Sequence, residues 1–281
     1  SPYAEQRIWD KKDIPALQLM TEAVHSHGAL AAIELAHNGN HSANLYSRLP
    51  VISPVSQSID LVYPKQTKRM NKKDIAEFRS WHRKAALNAK AAGFDIIYVY
   101  AGHGMTLTQQ FMLPEINNRT DEYGGSIENR CKFVIEVLNA VVEAIGAEKT
   151  AIRISPNGTF NDVAETEIEE TYTYLINAIN GLGLAFLHIS NQFGFESIPF
   201  ARKLYSGCII ANSGYADKTK VETAKRIIET EEADLFSFGR LALANPDLPK
   251  RLAQGLELNS GDSKTFYSRG PIGYTDYPVT P

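Results

Sequence analysis

Six short apolar runs, each followed by a polar loop, and most of them then by a helical pattern, constrain this chain more than any other feature. They occupy residues 29–35, 95–100, 150–155, 184–190, 207–212 and 234–238. The runs are close to continuously apolar rather than alternating, the pattern of parallel strands covered by helices. Helical stretches are expected at 71–92, 126–145, 165–182 and 218–230, with a short last one opening at Asn245-Pro-Asp-Leu-Pro. Another precedes the first run, with Asp13 as N-cap, Pro15 in its first turn and Gly28 at its end. In the stretch from Ser126, the residues Ile127, Cys131, Val134, Leu138, Val141 and Ile145 step by four and three, a stripe for burial. No sequence repeat accompanies this recurring architecture. The chain is therefore read as α/β, a β/α barrel of the TIM type forming one domain over residues 1–281, with a doubly wound open sheet as the alternative. Residues 49–70 carry Pro50, Pro54 and Pro64 and break the pattern, so a small hairpin or lid is expected over about 40–70.

Composition matters here mainly for what it excludes. With 43% hydrophobic and 22% charged residues a sizeable core is available, and a formal net charge of -3 gives no electrostatic reason to expect nucleic acid. Lys68–Lys73 is the densest basic patch and reads as a solvated loop. Cys131 and Cys208 sit in apolar surroundings as packing residues, and no His, Asp and Glu grouping has metal-ligand spacing. No run reaches transmembrane length and no leader is visible, so a soluble cytoplasmic protein is expected.

In such folds the chemistry lies on the loops after the strands. The strand 95–100 runs into a loop carrying Tyr100, His103 and Met105. Tyr100 and His103 lie three residues apart and could hydrogen-bond one substrate atom, as an oxygen-binding or proton-handling pair. His37 and His41 share the loop after the first run, which reads as substrate-lining. Arg153 and Glu34 are charged residues inside apolar strands. A buried guanidinium there needs a carboxylate partner or an anionic ligand, and both readings stay open. The loops Asn212-Ser213-Gly214-Tyr215 and Phe238-Gly239-Arg240 follow the last two runs. Each alone is a plain turn, whereas together with Arg240 they favour a phosphate.

These residues resemble the old yellow enzyme family, eightfold β/α barrels that bind FMN. The likeness spans nearly the whole chain. It is most specific at NNRTDEYGGSIENR (117–130), IANSGY (210–215), FGRLALANPDLPKRL (238–252) and FYSRGPIGYTDYP (266–278). The resemblance implies that Arg153 contacts the flavin pyrimidine edge, where a cation stabilises the charge a reduced flavin gathers. It assigns Ser213, Gly214, Gly239 and Arg240 to the FMN phosphate. Glu34 falls at a strand position where ene-reductases usually carry glutamine, and Tyr100 and His103 match the pair that holds substrate over the flavin.

The likeness is uneven along the chain. Up to about residue 150 it is closer to the trimethylamine and histamine dehydrogenase branch, and from about Arg153 onward to stand-alone ene-reductases, as in a recombined or deliberately chimeric sequence. Met105 stands about where both branches usually have tyrosine, the proton donor of ene-reductases. The strand-six aspartate of the amine dehydrogenases is not evident in His188–Gln192, and their iron–sulfur segment is absent. About six of eight βα units are counted, the first two being apparently missing. The resemblance implies hydride transfer from NAD(P)H through FMN to an activated alkene. The alternatives are oxidation of a small amine, or a non-catalytic barrel fragment or chimera that binds flavin weakly or not at all. A small-molecule substrate is expected, and self-association is left open.

Overall fold

The computed structural model describes residues 7–42, 49–56, 58–59, 65–158, 164–191, 194–214, 220–266 and 270–280. Within the one domain expected over 1–281, two compact units are distinguished, Ser1–Leu235 and Phe236–Pro281.

In unit 1 the main sheet runs in the order β1 (Ala32–Leu35), β5 (Ile96–Ala101), β6 (Thr150–Ile154), β7 (Phe186–Ser190), β8 (Ile209–Asn212) and β9 (Leu235–Phe236), the last reaching the boundary with unit 2. Consecutive pairs from β1 to β8 are parallel. All six strands counted from sequence are present; β5 runs one residue past its expected end and the other five are shorter than expected. Ile97, Val99, Ala101, Ile152, Ile154, Leu187, Ile189, Ile209 and Ala211 are fully buried on the helix-facing side. On β5 burial alternates, with Ile96, Tyr98 and Tyr100 half-buried. That departs from the continuous burial the apolar runs predict, because the inner face carries polar groups.

The helices over that face follow their sequence signals. In α2 (Lys72–Ala91), Asn71 and Asp74 form a capping box. In α4 (Ile127–Ile145), Ser126 accepts from Asn129 N and Gly146, at φ +96°, ends the helix. Cys131, Val134, Leu138, Val141 and Ile145 are buried as the stripe predicts, while Ile127 is half-buried. Phe111 stacks on Phe133 with centroids 4.0 Å apart. Asp13 does not cap α1 (Ile14–His25) with its side chain. Asp10 caps a 3-10 turn, Lys11–Asp13, and the Asp13 carboxylate reaches back to the Asp10 N–H. Three helices escaped the sequence reading: α3 (Leu107–Met112), α6 (Ser197–Leu204) and α8 (Arg240–Ala244). The helix expected from residue 165 begins later, as α5 (Ile168–Asn180). That expected from 218 is described from Lys220, as α7 (Lys220–Glu229).

The stretch 40–70, expected as a hairpin or lid, contains a second small sheet. Here β3 (Ser58–Ile59) pairs antiparallel with β4 (Lys65–Arg69), and β2 (Val51–Ser53) adds parallel to β4. Residues 43–48, 57 and 60–64 of that stretch lie outside the described residues. Arg119, from the 117–130 motif, is 3% exposed and fastens this sheet, donating to Pro54 O and Met70 O at 2.8 Å each. Its other nitrogens donate to the Asp121 carboxylate at 2.9 and 2.6 Å.

In unit 2, α8 is followed by α9 (Leu248–Gln254). Asp247 and Arg251 bind the end of the chain back to these helices, through Arg251 Nη2 to Pro278 O at 2.8 Å and Thr280 N to Asp247 Oδ2 at 2.8 Å. Among the described residues no helix is long and apolar enough to cross a membrane.

Candidate active site

Parallel register places three inner-face residues in one row across three strands, with a further pair one step along. Tyr100 of β5 is opposite Arg153 of β6, which is opposite His188 of β7, while Glu34 of β1 is opposite Tyr98 of β5. Arg153 Nη1 lies 3.2 Å from Glu34 Oε2, and its guanidinium carbon sits 4.9 Å from the centroid of the Tyr100 ring. The Tyr100 hydroxyl and His103 Nδ1 are hydrogen-bonded to each other. His103, 3% exposed, has a positive φ of 60°, and its N–H donates to Ser155 Oγ at 2.6 Å.

Burial dominates the electrostatics of this cluster. It lowers His103 to about 4 and His188 to about 3, helped in both by the Arg153 charge. Tyr98 is pushed up to about 12 by burial and by Glu34. Burial raises the Glu34 carboxyl against the pull of Arg153. At neutral pH both imidazoles and the Tyr98 phenol are therefore neutral. Both readings of Arg153 hold a share of the truth. One nitrogen pairs with Glu34, while Nε is buried without a hydrogen-bond partner among the described residues. An unsatisfied buried donor costs roughly 1–3 kcal/mol, so this atom asks for an acceptor from outside the chain.

Other predicted residues fall elsewhere. His37 turns away from the row and packs edge-on against Phe78, 5.5 Å between centroids. It lines a cavity of about 740 Å³ with Trp9, Leu17, Phe78, Trp81 and His82, and that cavity shares Glu34 with the cluster. Ser213 and Gly214 follow β8. Gly214 has φ +75°, its N–H donates to Asn212 Oδ1 at 2.9 Å, and Lys220 Nζ reaches Ser213 Oγ at 3.3 Å and Gly214 O at 2.5 Å. Tyr215 lies outside the described residues. In unit 2, Gly239 precedes α8, and the exposed Arg240 places its guanidinium 5.3 Å from the Phe266 ring centroid. Among the described residues no three His, Cys, Asp or Glu side chains converge on a metal position.

Sequence reasoning missed the residues that hold the Tyr100–His103 loop. Gln110 Nε2 donates to Met105 O at 2.9 Å and to Asn38 O at 3.2 Å, and its Oε1 accepts from Asn40 N at 3.1 Å. Gln109 Oε1 accepts from Gly104 N at 2.7 Å. The signal available was Gln109-Gln110 itself, two amides followed directly by Phe111 and Met112. Lys220 and Ser155 had none.

The description that matches the chain is the NADH:flavin oxidoreductase / NADH oxidase family, over residues 3–259. The chain belongs to that family. The match crosses residue 150, so both halves of the chain fall within one family. Among curated relatives of this flavin oxidoreductase, 12-oxophytodienoate reductase 1 of Oryza sativa subsp. japonica is 36% identical over 96% of this chain and 74% of its own length. The "Probable flavin mononucleotide-dependent alkene reductase" of Leishmania infantum is 35% identical over 98% and 79%. Among solved structures, the old yellow enzyme homologue of Zymomonas mobilis superposes with a TM-score of 0.90 at 30% identity, over 97% of this chain and 80% of that one. Morphinone reductase in complex with tetrahydroNAD gives 0.88 at 31%, over 98% and 79%. The protein is thus an FMN-dependent oxidoreductase of the old yellow enzyme type, with the α/β architecture of the TIM barrels. The residues present fit an FMN. Arg153 Nε is a buried cationic donor lacking an acceptor among the described residues, in a row of neutral hydrogen-bonding groups.

Proposed function

We propose that this flavin oxidoreductase reduces an activated alkene whose carbonyl or nitro oxygen is held by Tyr100 and His103. The observation that carries the reading is their mutual hydrogen bond beside Arg153. A neutral imidazole has one N–H and a phenol one O–H, and a substrate oxygen set against the pair would accept a hydrogen bond that polarises the alkene without an imidazolium. FMN, when bound, supplies the hydride chemistry between NAD(P)H and the alkene. Arg153 holds it through the donor left unmatched by Glu34. Ser213 and Gly214, with Lys220 beside them, are proposed for its phosphate. Met105 has no transferable proton, so the proton comes from water or from the pair itself. The names of the relatives, an alkene reductase among them, support the same reaction class. A small-molecule substrate and a cytoplasmic setting are part of the reading.

The test is anaerobic. NADPH should bleach the yellow enzyme and cyclohex-2-enone should restore its colour. Tyr100→Phe and His103→Ala should each raise the KM for the enone by about tenfold, the loss of one good hydrogen bond, with FMN content unchanged. An unchanged KM in both variants would remove the pair from the site.

A further inference from the structure

We infer that Glu165 is a positioning residue for the substrate-holding pair, acting through Gln109 on the backbone that carries His103. This rests on the reading that Tyr100 and His103 hold the substrate.

Glu165 was expected to begin a helix. Instead α5 starts at Ile168, behind Glu167 in a left-handed conformation, and Glu165 turns inward to 8% exposure. Its Oε1 accepts from Gln109 Nε2 at 2.6 Å and from Gly158 N at 3.2 Å, and its Oε2 accepts from Asn157 N at 3.1 Å. The Tyr172 hydroxyl, from α5, stands beside the set and accepts from Gln109 Nε2 at 3.0 Å.

The arrangement has a chemical consequence for Gln109. A carboxylate can only accept, so it fixes the Gln109 NH₂ end toward itself and leaves Oε1 for the Gly104 N–H. The flipped amide would face NH₂ against that N–H. Gly104 follows His103, whose left-handed φ of 60° is unfavourable for a residue with a side chain. Ser155 Oγ holds the peptide on one side of His103 and Gln109 holds it on the other. Glu165 is the anchor of the second hold.

The hold depends on the ionised carboxyl. Three N–H donors already bond it, two on Oε1 and one on Oε2, and a proton placed there weakens the carboxyl as their acceptor. Burial pushes this carboxyl up to about 7, the charge of Glu115 adds to that, and the Asn157 N–H, the Tyr172 hydroxyl and the Gly158 N–H oppose it. The grip on His103 is tight above neutral pH and slackens below it. A limb there does not belong to the His103 ring, which is neutral down to about 4.

Steady-state kinetics of the FMN-loaded enzyme with cyclohex-2-enone, from pH 5.5 to 8.5, test this. Wild-type KM should rise about tenfold as the pH falls through 7, with kcat changing less. Glu165→Gln should show the high KM at every pH, Gln109→Ala should match it, and the double variant should lose no more than either alone. The Gly104 amide resonance of ¹⁵N-labelled wild-type enzyme should titrate with the same midpoint, a readout that needs no variant to fold. A wild-type KM and limb in Glu165→Gln, additive losses in the double variant, or a Gly104 amide that does not titrate would overturn the inference. If Tyr100→Phe and His103→Ala leave KM unchanged while the Gly104 amide still titrates, the substrate-holding reading has failed and the Glu165–Gln109 link has not.

Discussion

Arg153 and Glu34 lie 119 residues apart in sequence and 3.2 Å apart in space, and their pairing sets the charge of the cluster. Each was conspicuous in sequence as a charge inside an apolar strand. Neither strand could say that the two would meet. The carboxylate offsets part of the guanidinium charge that would otherwise stabilise a reduced flavin. Glu34→Gln should therefore raise the midpoint potential of the bound FMN, by about 30 mV for a tenfold shift in a two-electron equilibrium. Equilibration against a reference dye measures this, and an unchanged potential would mean that the ion pair does not tune the flavin. His103 and Tyr100 were legible because they end a strand. Their support by Ser155 and Glu165 was not, since those bonds span 52 and 56 residues and no local pattern records them.

At the level of elements, the sequence motif 117–130 was recognised as a family signature, and its structural work is anchoring. Asn117 Nδ2 donates to Phe111 O at 2.5 Å and Tyr123 O at 2.7 Å, while Arg119 holds the lid sheet by two carbonyls. Arg119→Ala would leave both carbonyls and the Asp121 carboxylate without that partner, at a cost of about 3 kcal/mol. For a chain of this size that is a fall in Tm of roughly 6–10 °C. Amide exchange should accelerate in residues 51–56 and 67–70. Exchange as slow as wild type there would show that the lid sheet has another anchor. The helix α3 escaped prediction for a related reason. All six of its residues are buried, Thr108, Gln109 and Gln110 among them, so it has no polar face for a periodicity to reveal.

For the whole molecule, pH stability follows from buried histidines. Burial holds His37, His82 and His103 at about 4 and His188 at about 3, below the roughly 6.5 of an unfolded chain. Between those values the unfolded chain binds more protons, so the stability is full above about 6.5 and is lost as the pH falls toward 4. Glu165 acts in the opposite sense, because its raised carboxyl favours the folded state as the pH drops from 7 to 4.5. The Glu34 carboxyl, raised by burial too, acts in the same sense, so two groups oppose four. Tm should fall on the order of 10 °C between pH 7 and pH 5, and a flat calorimetric profile over that range would contradict the buried, neutral histidines. The sequence alone determined the strand and helix order, the family and the residues at the strand ends, because periodicity, capping and strand termini are local properties of the chain. The tertiary structure alone decided the partners. It paired Glu34 with Arg153, left Arg153 Nε wanting an acceptor, and set Glu165 behind Gln109 across 56 residues. Hydrogen bonds between distant residues exist only once the sheet register has brought their loops together, and register is a property of the folded molecule.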